Sequence, residues 1–257
     1  MIFFSDLDKT IIHSRNSIND VNNALAIEKY LSEHISFVSS EIILSLQKLS
    51  KKMTIIPVTT RTVEQYKRIK FESFNINFQW AITNNGACIL HNGQPVMEWE
   101  KVIKTKIQQS ERFKVVFDKY SAYKNVKGIL RTKAAEGMFF YSILDKENFD
   151  VTSIKKFIEY IETVGWKYYF SGRKLYFIPE GITKERAVLF ILEKMGENNF
   201  IASGDSWLDI NMLNYSQRAY VPKHADIINK ITNKNLYISK GHGIKATEEI
   251  LNSILCV

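Results

Sequence analysis

Ser5-Asp6-Leu7-Asp8-Lys9-Thr10 follows the apolar run Met1–Phe4, which is short enough to be a single buried strand. Two carboxylates two positions apart therefore stand where a strand gives way to a loop. In a strand they would share a face, and in a loop both can turn into a cleft at the sheet's edge. Crowded carboxylates are costly unless a cation neutralises them or one holds a proton. The pair suggests a metal site, an acid/base pair, or a nucleophile with its proton donor. Loops are rich in Asp for turn-forming reasons, so the argument needs a second acidic cluster, a hydroxyl and a lysine elsewhere in the chain.

The chain has 257 residues, enough for one large domain or two smaller ones, with 45% hydrophobic and 24% charged residues. That is the composition of a globular protein. No apolar run approaches the roughly 20 residues that cross a bilayer. The N-terminus lacks a basic n-region, and Asp6 and Asp8 interrupt its apolar stretch, so a cytoplasmic location is expected. Cys88 and Cys256 are too few and too far apart to suggest disulfides or a zinc site. The net charge of +8 is matched by residues 101–135 alone, which hold ten basic side chains against Glu111 and Asp118. Such a segment can be a solvated lysine-rich surface, or it can steer an anion or nucleic acid.

Outward from the aspartates, residues 24–38 read as a small hairpin. Ile42, Ile43, Leu46 and Leu49 recur at helical spacing behind Ser39-Ser40, a helix cap. Residues 53–58 form an apolar strand ending at Thr59-Thr60-Arg61-Thr62, with Pro57 awkward in its interior. A helix near 63–71 and a strand at 79–83 complete a β-α-β-α-β run, the pattern of a parallel sheet flanked by helices. From about residue 90 the pattern changes. A helix over 101–120, strands at 127–134 and 138–144, a helix over 152–164 and a hairpin of 166–170 with 174–178 form an aromatic-rich α-β-β-α-β-β block. Those rings are expected to be core. Alternation then resumes with a helix over 184–195, a strand at 198–203, a helix over 207–214 and a strand at 218–221. A further helix, a strand at 236–239 and a closing helix follow. The fold expected is α/β: a Rossmann-like doubly wound parallel sheet built from 1–90 and 179–257, interrupted by an inserted α+β domain at 91–178.

Ligands of an open parallel sheet bind beyond the carboxyl ends of its strands. Four such ends carry useful groups: Asp6 and Asp8; Thr59; Lys184 in Gly181-Ile182-Thr183-Lys184; and Asp205 and Asp209 in Gly204-Asp205-Ser206-Trp207-Leu208-Asp209. Together they supply the parts for moving a phosphoryl group. Asp6 and Asp205 suit Mg²⁺, a carboxylate can attack phosphorus, and a nearby acid can protonate the leaving oxygen. A lysine, a hydroxyl and backbone N–H groups can hold the equatorial oxygens. Each feature alone has a plainer role, as surface lysine, turn former or helix cap.

The order Asp-Leu-Asp-Lys-Thr, strand-Thr59, Lys184 and Gly-Asp-x-x-x-Asp resembles the haloacid dehalogenase superfamily across essentially the whole chain. The insertion is similar to its C2 cap. Asn85-Gly86-Ala87 and Asp209-Ile210-Asn211-Met212-Leu213 resemble the Cof-type and sucrose-phosphate-phosphatase branch. The resemblance implies Asp6 as nucleophile, Asp8 as general acid/base, and Thr59 and Lys184 on the phosphoryl group. It implies Mg²⁺ on Asp6, on the backbone carbonyl of Asp8 and on Asp205, with Asp209 supporting that metal site. Thr60, Arg61, Asn85 and Gly86 are expected on the substrate, with Arg131, Lys133, Arg173 and Lys174 as cap candidates and His34 on the hairpin. Lys9 stands where the branch usually has Gly, Thr60 replaces a Gly, and Leu208 replaces an Asn. The expected activity is Mg²⁺-dependent hydrolysis of a small phosphorylated metabolite, such as a sugar or nucleotide phosphate, through an aspartyl-phosphate. A phosphomutase uses the same intermediate. A nucleic-acid-binding module built on 101–135 is the non-enzymatic alternative, and the intact acidic set argues against it. No membrane partner is expected.

Overall fold

The four residues of β1 (Ile2–Ser5) are all buried, as an apolar run in the middle of a sheet must be. The computed structural model describes residues 1–18 and 24–256. Beyond the aspartate loop, β2 (Ala24–Tyr30) and β3 (Glu33–Ser39) form the hairpin, turning at Leu31-Ser32. Ser39 caps α1 (Ser40–Leu49) by accepting the Ile42 N–H at 3.2 Å. The stripe Ile42, Ile43, Leu46 and Leu49 is buried. Next come β4 (Thr54–Pro57) and α2 (Val63–Lys67), whose start is fixed by a Thr62–Gln65 capping box. The helix expected over 63–71 stops early, and Phe71–Phe74 forms a separate 3-10 turn. β5 (Trp80–Thr83), β6 (Cys88–His91) and β7 (Gln94–Pro95) follow as an antiparallel ribbon.

Residues 97–183 form a second compact unit. Its elements are α3 (Met97–Ile107), α4 (Phe113–Tyr120), β8 (Ile129–Ala135), β9 (Phe139–Leu144), α5 (Lys155–Thr163), β10 (Trp166–Ser171) and β11 (Lys174–Pro179). The single helix expected over 101–120 is broken, because its middle is claimed by the turn after α5. Glu111 N–H donates to Val164 O at 2.8 Å, Ser110 Oγ to Gly165 O at 2.6 Å, and Trp166 Nε1 to Glu111 O at 2.8 Å. The strands make one antiparallel sheet in the order β10-β11-β9-β8. On one face Phe140, Leu175, Phe177 and Trp166 pack against Val116 and Tyr120 of α4 and Phe157 and Ile161 of α5. The aromatics of this face are core, as expected.

The chain then returns to the first unit, residues 1–96 and 184–257. The insertion starts later than expected, because β6 and β7 pair with β5 and so belong to the first unit, and it runs on to Thr183. α6 (Lys184–Met195), β12 (Phe200–Ser203), α7 (Ile210–Tyr215), β13 (Arg218–Val221), β14 (Leu236–Ile238) and α8 (Ile244–Leu255) complete it. The further helix expected after β13 is only a 3-10 turn, Ile228–Lys230. Here Asn233 gives its amide to the carbonyls of Leu213 and Ser216 at 2.9 and 2.6 Å, anchoring a loop instead.

The main sheet is wholly parallel, ordered β14-β13-β12-β1-β4. Chain order therefore runs outward from β1 in both directions, which makes its carboxyl end the switch point where such sheets bind ligands. Ser5 stands in register with Ser203 on one side and Pro57 on the other. Pro57 costs the sheet nothing. Val58 N–H faces β1 and reaches Ser5 O at 2.7 Å, and pairing toward β5 starts only at Thr59 N–H on Ile82 O at 2.8 Å. Phe3, Ile55 and Ile201 pack beneath Ile42 and Leu46 of α1 and Ile250, Leu251 and Ile254 of α8. The fold is the α/β sheet expected, with an inserted α+β unit. No helix among the described residues is long and apolar enough to cross a membrane.

Candidate active site at the strand ends

Asp6 leaves β1 with its N–H on Ser203 O at 2.9 Å, so the loop starts pinned to β12. The chain then winds around the carbonyl of Leu7, which accepts from Thr10, Ile11 and Ile12 at 3.2, 2.9 and 2.9 Å. That turn holds Lys9 in the left-handed region, with φ at 64°. This accounts physically for the glycine usual at this position in the resembling branch.

Lys184, first residue of α6, lies 1% exposed and donates to Asp6 Oδ1 and Asp209 Oδ1, both at 2.6 Å. The other oxygen of Asp209 accepts from Ser206 N–H at 2.9 Å and Ser206 Oγ at 2.7 Å. This is the capping box that starts the turn into α7. Gly204 is required for it, since a Cβ there would fall 2.6 Å from Asp209 Cγ. Asp6, Asp205 and Asp209 each bring an oxygen within 4.8 Å of the others. Groups from the ends of β1 and β12 and from the start of α6 thus meet in one buried cluster.

Asp8 faces a different partner. Arg61 Nε and Nη2 donate to its two oxygens at 2.8 Å each, a bidentate fork. Arg61, expected on the substrate, is in this structure on Asp8. Its Nη1 reaches Glu28 Oε2 at 2.8 Å. Thr59, 1% exposed, accepts the Arg61 N–H on Oγ1 at 3.1 Å. Asn84 and Asn85, both left-handed, bind Arg61 O and Thr59 O through their N–H groups at 2.7 and 2.9 Å. Asn is the non-glycine residue that best tolerates this conformation. Asn84 and Asn85 thus buttress the Thr59–Arg61 loop through backbone, with Gly86 buried next to them and Thr60 half-buried within the loop.

Burial pushes the Asp6 carboxyl up to about 7 against the pull of Lys184, with Asp209 and Asp8 pushing the same way as burial. Asp205 is also raised, by burial and then by Asp6 and Asp209. Burial alone would lower Lys184, but Asp209 and Asp6 outweigh it and keep the ammonium charged. One lysine for three buried carboxylates leaves an excess of negative charge. An all-oxygen donor set with that deficit fits a hard divalent cation such as Mg²⁺. Burial likewise works against the Arg61 charge, and Asp8 and Glu28 overcome it.

The hairpin histidine is not part of this cluster, and the expected cap residues belong to the second unit. His34 is exposed on β3. Arg131 and Lys133 lie on β8, Arg173 in the β10–β11 turn, and Lys174 over the rings of Tyr141 and Tyr176 at 5.1 and 5.8 Å from their centroids. Glu28, Ser36, Asn84, Ser206 and His224 also touch the site and were not legible in the sequence. Only Ser206 left a signal, as Ser three positions before an acidic residue at a helix start. His224 accepts Gly243 N–H on Nδ1 at 3.2 Å, so its Nε2 carries the proton donated to Lys9 O at 3.0 Å.

A family model described as sucrose-6F-phosphate phosphohydrolase matches residues 41–246. A search of curated proteins finds no match. Among solved structures, the sucrose-phosphatase from Synechocystis sp. PCC6803, in complex with sucrose and phosphate, is similar with a TM-score of 0.70 at 12% identity, covering 98% of this chain and 97% of that one. A haloacid dehalogenase-like hydrolase from B. subtilis gives 0.67 at 13% identity over 99% and 98% of the two chains. A haloacid dehalogenase subclass IIB sugar phosphatase gives 0.63 at 14% identity over 100% and 99%. At these identities the structural likeness speaks for the fold.

Proposed function

The chain belongs to the sucrose-6F-phosphate phosphohydrolase family and is a phosphatase of the haloacid dehalogenase type; from that premise we propose that it hydrolyses a small sugar phosphate through a phosphorylated Asp6. One observation carries the reading: buried Lys184 spans Asp6 and Asp209 at 2.6 Å each, within a three-carboxylate cluster at the sheet's switch point.

In the first step Asp6 attacks phosphorus, forming a P–O bond as the bond to the sugar oxygen breaks. That oxygen takes the departing electron pair together with the proton of the Asp8 carboxyl. The fork from Arg61 stabilises the carboxylate left on Asp8. In the second step Asp8 takes a proton from water, which attacks phosphorus, releases phosphate and restores Asp6. Lys184 and the Thr59 hydroxyl bind the phosphoryl oxygens, and Thr60, Asn85 and Gly86 shape the loops that meet the ester. Asp6, Asp205 and the Asp8 backbone carbonyl would hold Mg²⁺, which when bound offsets charge on the transferring group. Both oxygens of Asp209 are already engaged, so its role is to hold Lys184 and the Ser206 turn.

The test is phosphate release from a panel of sugar phosphates and an aryl phosphate, with Mg²⁺ or EDTA, for wild type and Asp6→Asn. Mg²⁺-dependent release abolished in the variant is the expected result. Transfer of the phosphoryl group to a second position on the sugar, without free phosphate, would replace hydrolase with mutase. Undiminished release by Asp6→Asn would exclude Asp6 as the nucleophile.

A further inference from the structure

A buried carboxylate outside the chemistry just described sits on the hairpin. Glu28 exposes none of its side chain, although it follows Ile27, which is 2% exposed. Consecutive residues of a regular strand point to opposite faces, and here the pairing of β2 with β3 shifts register on both sides of Glu28. The irregularity turns Glu28 inward, as bulges beside active sites do. Its Oε2 accepts from Arg61 Nη1 at 2.8 Å and from the Ser36 hydroxyl at 2.5 Å, and its Oε1 accepts from Arg68 Nε at 3.3 Å. Ser36 Oγ also lies 3.3 Å from Arg61 Nη2. The Arg61 guanidinium is thereby gripped on one edge by the hairpin while its other edge, Nε and Nη2, forks Asp8.

We propose that Glu28 is a positioning residue for proton transfer, acting through Arg61 on Asp8. The inference rests on the phosphatase reading above. A buried ion pair is a poor device for stability, since apolar side chains of similar volume serve as well or better. Its use here is geometric. A guanidinium is planar with fixed donor directions, so fixing Nη1 on Glu28 sets the plane in which Nε and Nη2 meet the Asp8 carboxylate. Asp8 itself is half-exposed, its side chain retaining 45% of its accessible surface, and Arg61 retains 12%. Asp8 is the more exposed partner of the fork, and Arg61 is the more buried one. Glu28 also shares the guanidinium charge, so Arg61 can receive the carboxylate formed on proton donation without holding Asp8 as an unshared ion pair.

The decisive variant is Glu28→Gln, assayed on a sugar phosphate and on para-nitrophenyl phosphate. A sugar alkoxide needs a proton as it leaves, whereas nitrophenolate departs without one. Misplacing Asp8 should therefore lower kcat about 30-fold on the sugar phosphate and about threefold or less on the aryl ester, with KM little changed on both. Because Glu28 acts through Arg61, Glu28→Gln in an Arg61→Lys background should cost almost nothing more. Equal losses on both esters, or additive losses in the double variant, would overturn the proposal and leave Glu28 as a tie between hairpin and α2. If Glu28→Gln does not fold, Ser36→Ala keeps every charge and removes one hydroxyl from the grip. The same selective loss, smaller in size, is expected, and an unchanged ratio between the esters would overturn the proposal. A wild type inactive on all esters would sink the phosphatase reading and this inference with it, whereas an active wild type with an unselective variant sinks the inference alone.

Discussion

An ideal Cβ on Gly204 would lie 2.5 Å from Cβ and 2.6 Å from Cγ of Asp209, a distance real side chains do not tolerate. Gly204→Ala must therefore move Asp209, and with it the carboxylate that shares Lys184 with Asp6. Overpacking of this kind costs about 1–3 kcal/mol. The expected outcome is a lower Tm and a fall in kcat on every ester alike, since the role proposed for Lys184 is on the phosphoryl group and not on the leaving group. A variant with wild-type turnover would show that Asp209 is not needed where it sits. Residue-scale legibility was uneven. Asp6, Thr59, Lys184, Asp205 and Asp209 could be picked out because each follows an apolar run or opens a helix. Arg61 was noticed for its place beside Thr59, but its partner Asp8 lies 53 residues away and Glu28 lies 33 away. No local pattern reports such a pairing.

Among the elements, α8 is tied to the aspartate loop by a buried histidine. His13 Nε2 donates to Thr247 Oγ1 at 2.8 Å, and that hydroxyl donates to Thr10 O at 2.6 Å. Burial first, then His224, lowers His13 from 6.5 to about 4. Between those values the unfolded chain binds a proton that the folded chain refuses. His13 thus costs no stability above about pH 6.5, and stability falls as pH drops from about 6.5 to about 4, by about 3 kcal/mol in full. Urea midpoints measured across that window should fall less steeply in His13→Gln than in wild type; identical slopes would refute the assignment. Element boundaries followed local signals where caps and apolar periods agreed, as in α1, α6 and β12. They failed where tertiary contacts intervened. The break between α3 and α4 is imposed by bonds from Glu111 N–H and the Ser110 hydroxyl to the carbonyls of Val164 and Gly165, and the missing helix after β13 by the Asn233 amide.

For the whole molecule, an excess of buried negative charge at the switch point predicts linkage between cation binding and folding. Mg²⁺ should raise the Tm of wild type, with about 2.7 kcal/mol of stabilisation at a hundredfold excess over its Kd, and EDTA should reverse it. Asp205→Asn should lose most of this response while still folding, because it relieves part of the crowding. A Tm in Asp205→Asn that still climbs with Mg²⁺ as in wild type would remove Asp205 from the cation's ligands. The α/β class, the inserted unit and the chain order of the groups at the strand ends were all determined by the sequence alone. Hydrophobic period and strand-end position are local properties, and a parallel sheet brings the carboxyl ends of its strands to one edge wherever the chain between them wanders. Only the tertiary structure decided that Asp8 rests in the Arg61 fork, that Glu28 turns inward to grip it, and that Asp209 spends both oxygens on Lys184 and Ser206. Those contacts depend on a register shift in one hairpin and on an approach of backbone to side chain at Gly204, angstrom-scale distances that residue spacing along the chain does not encode.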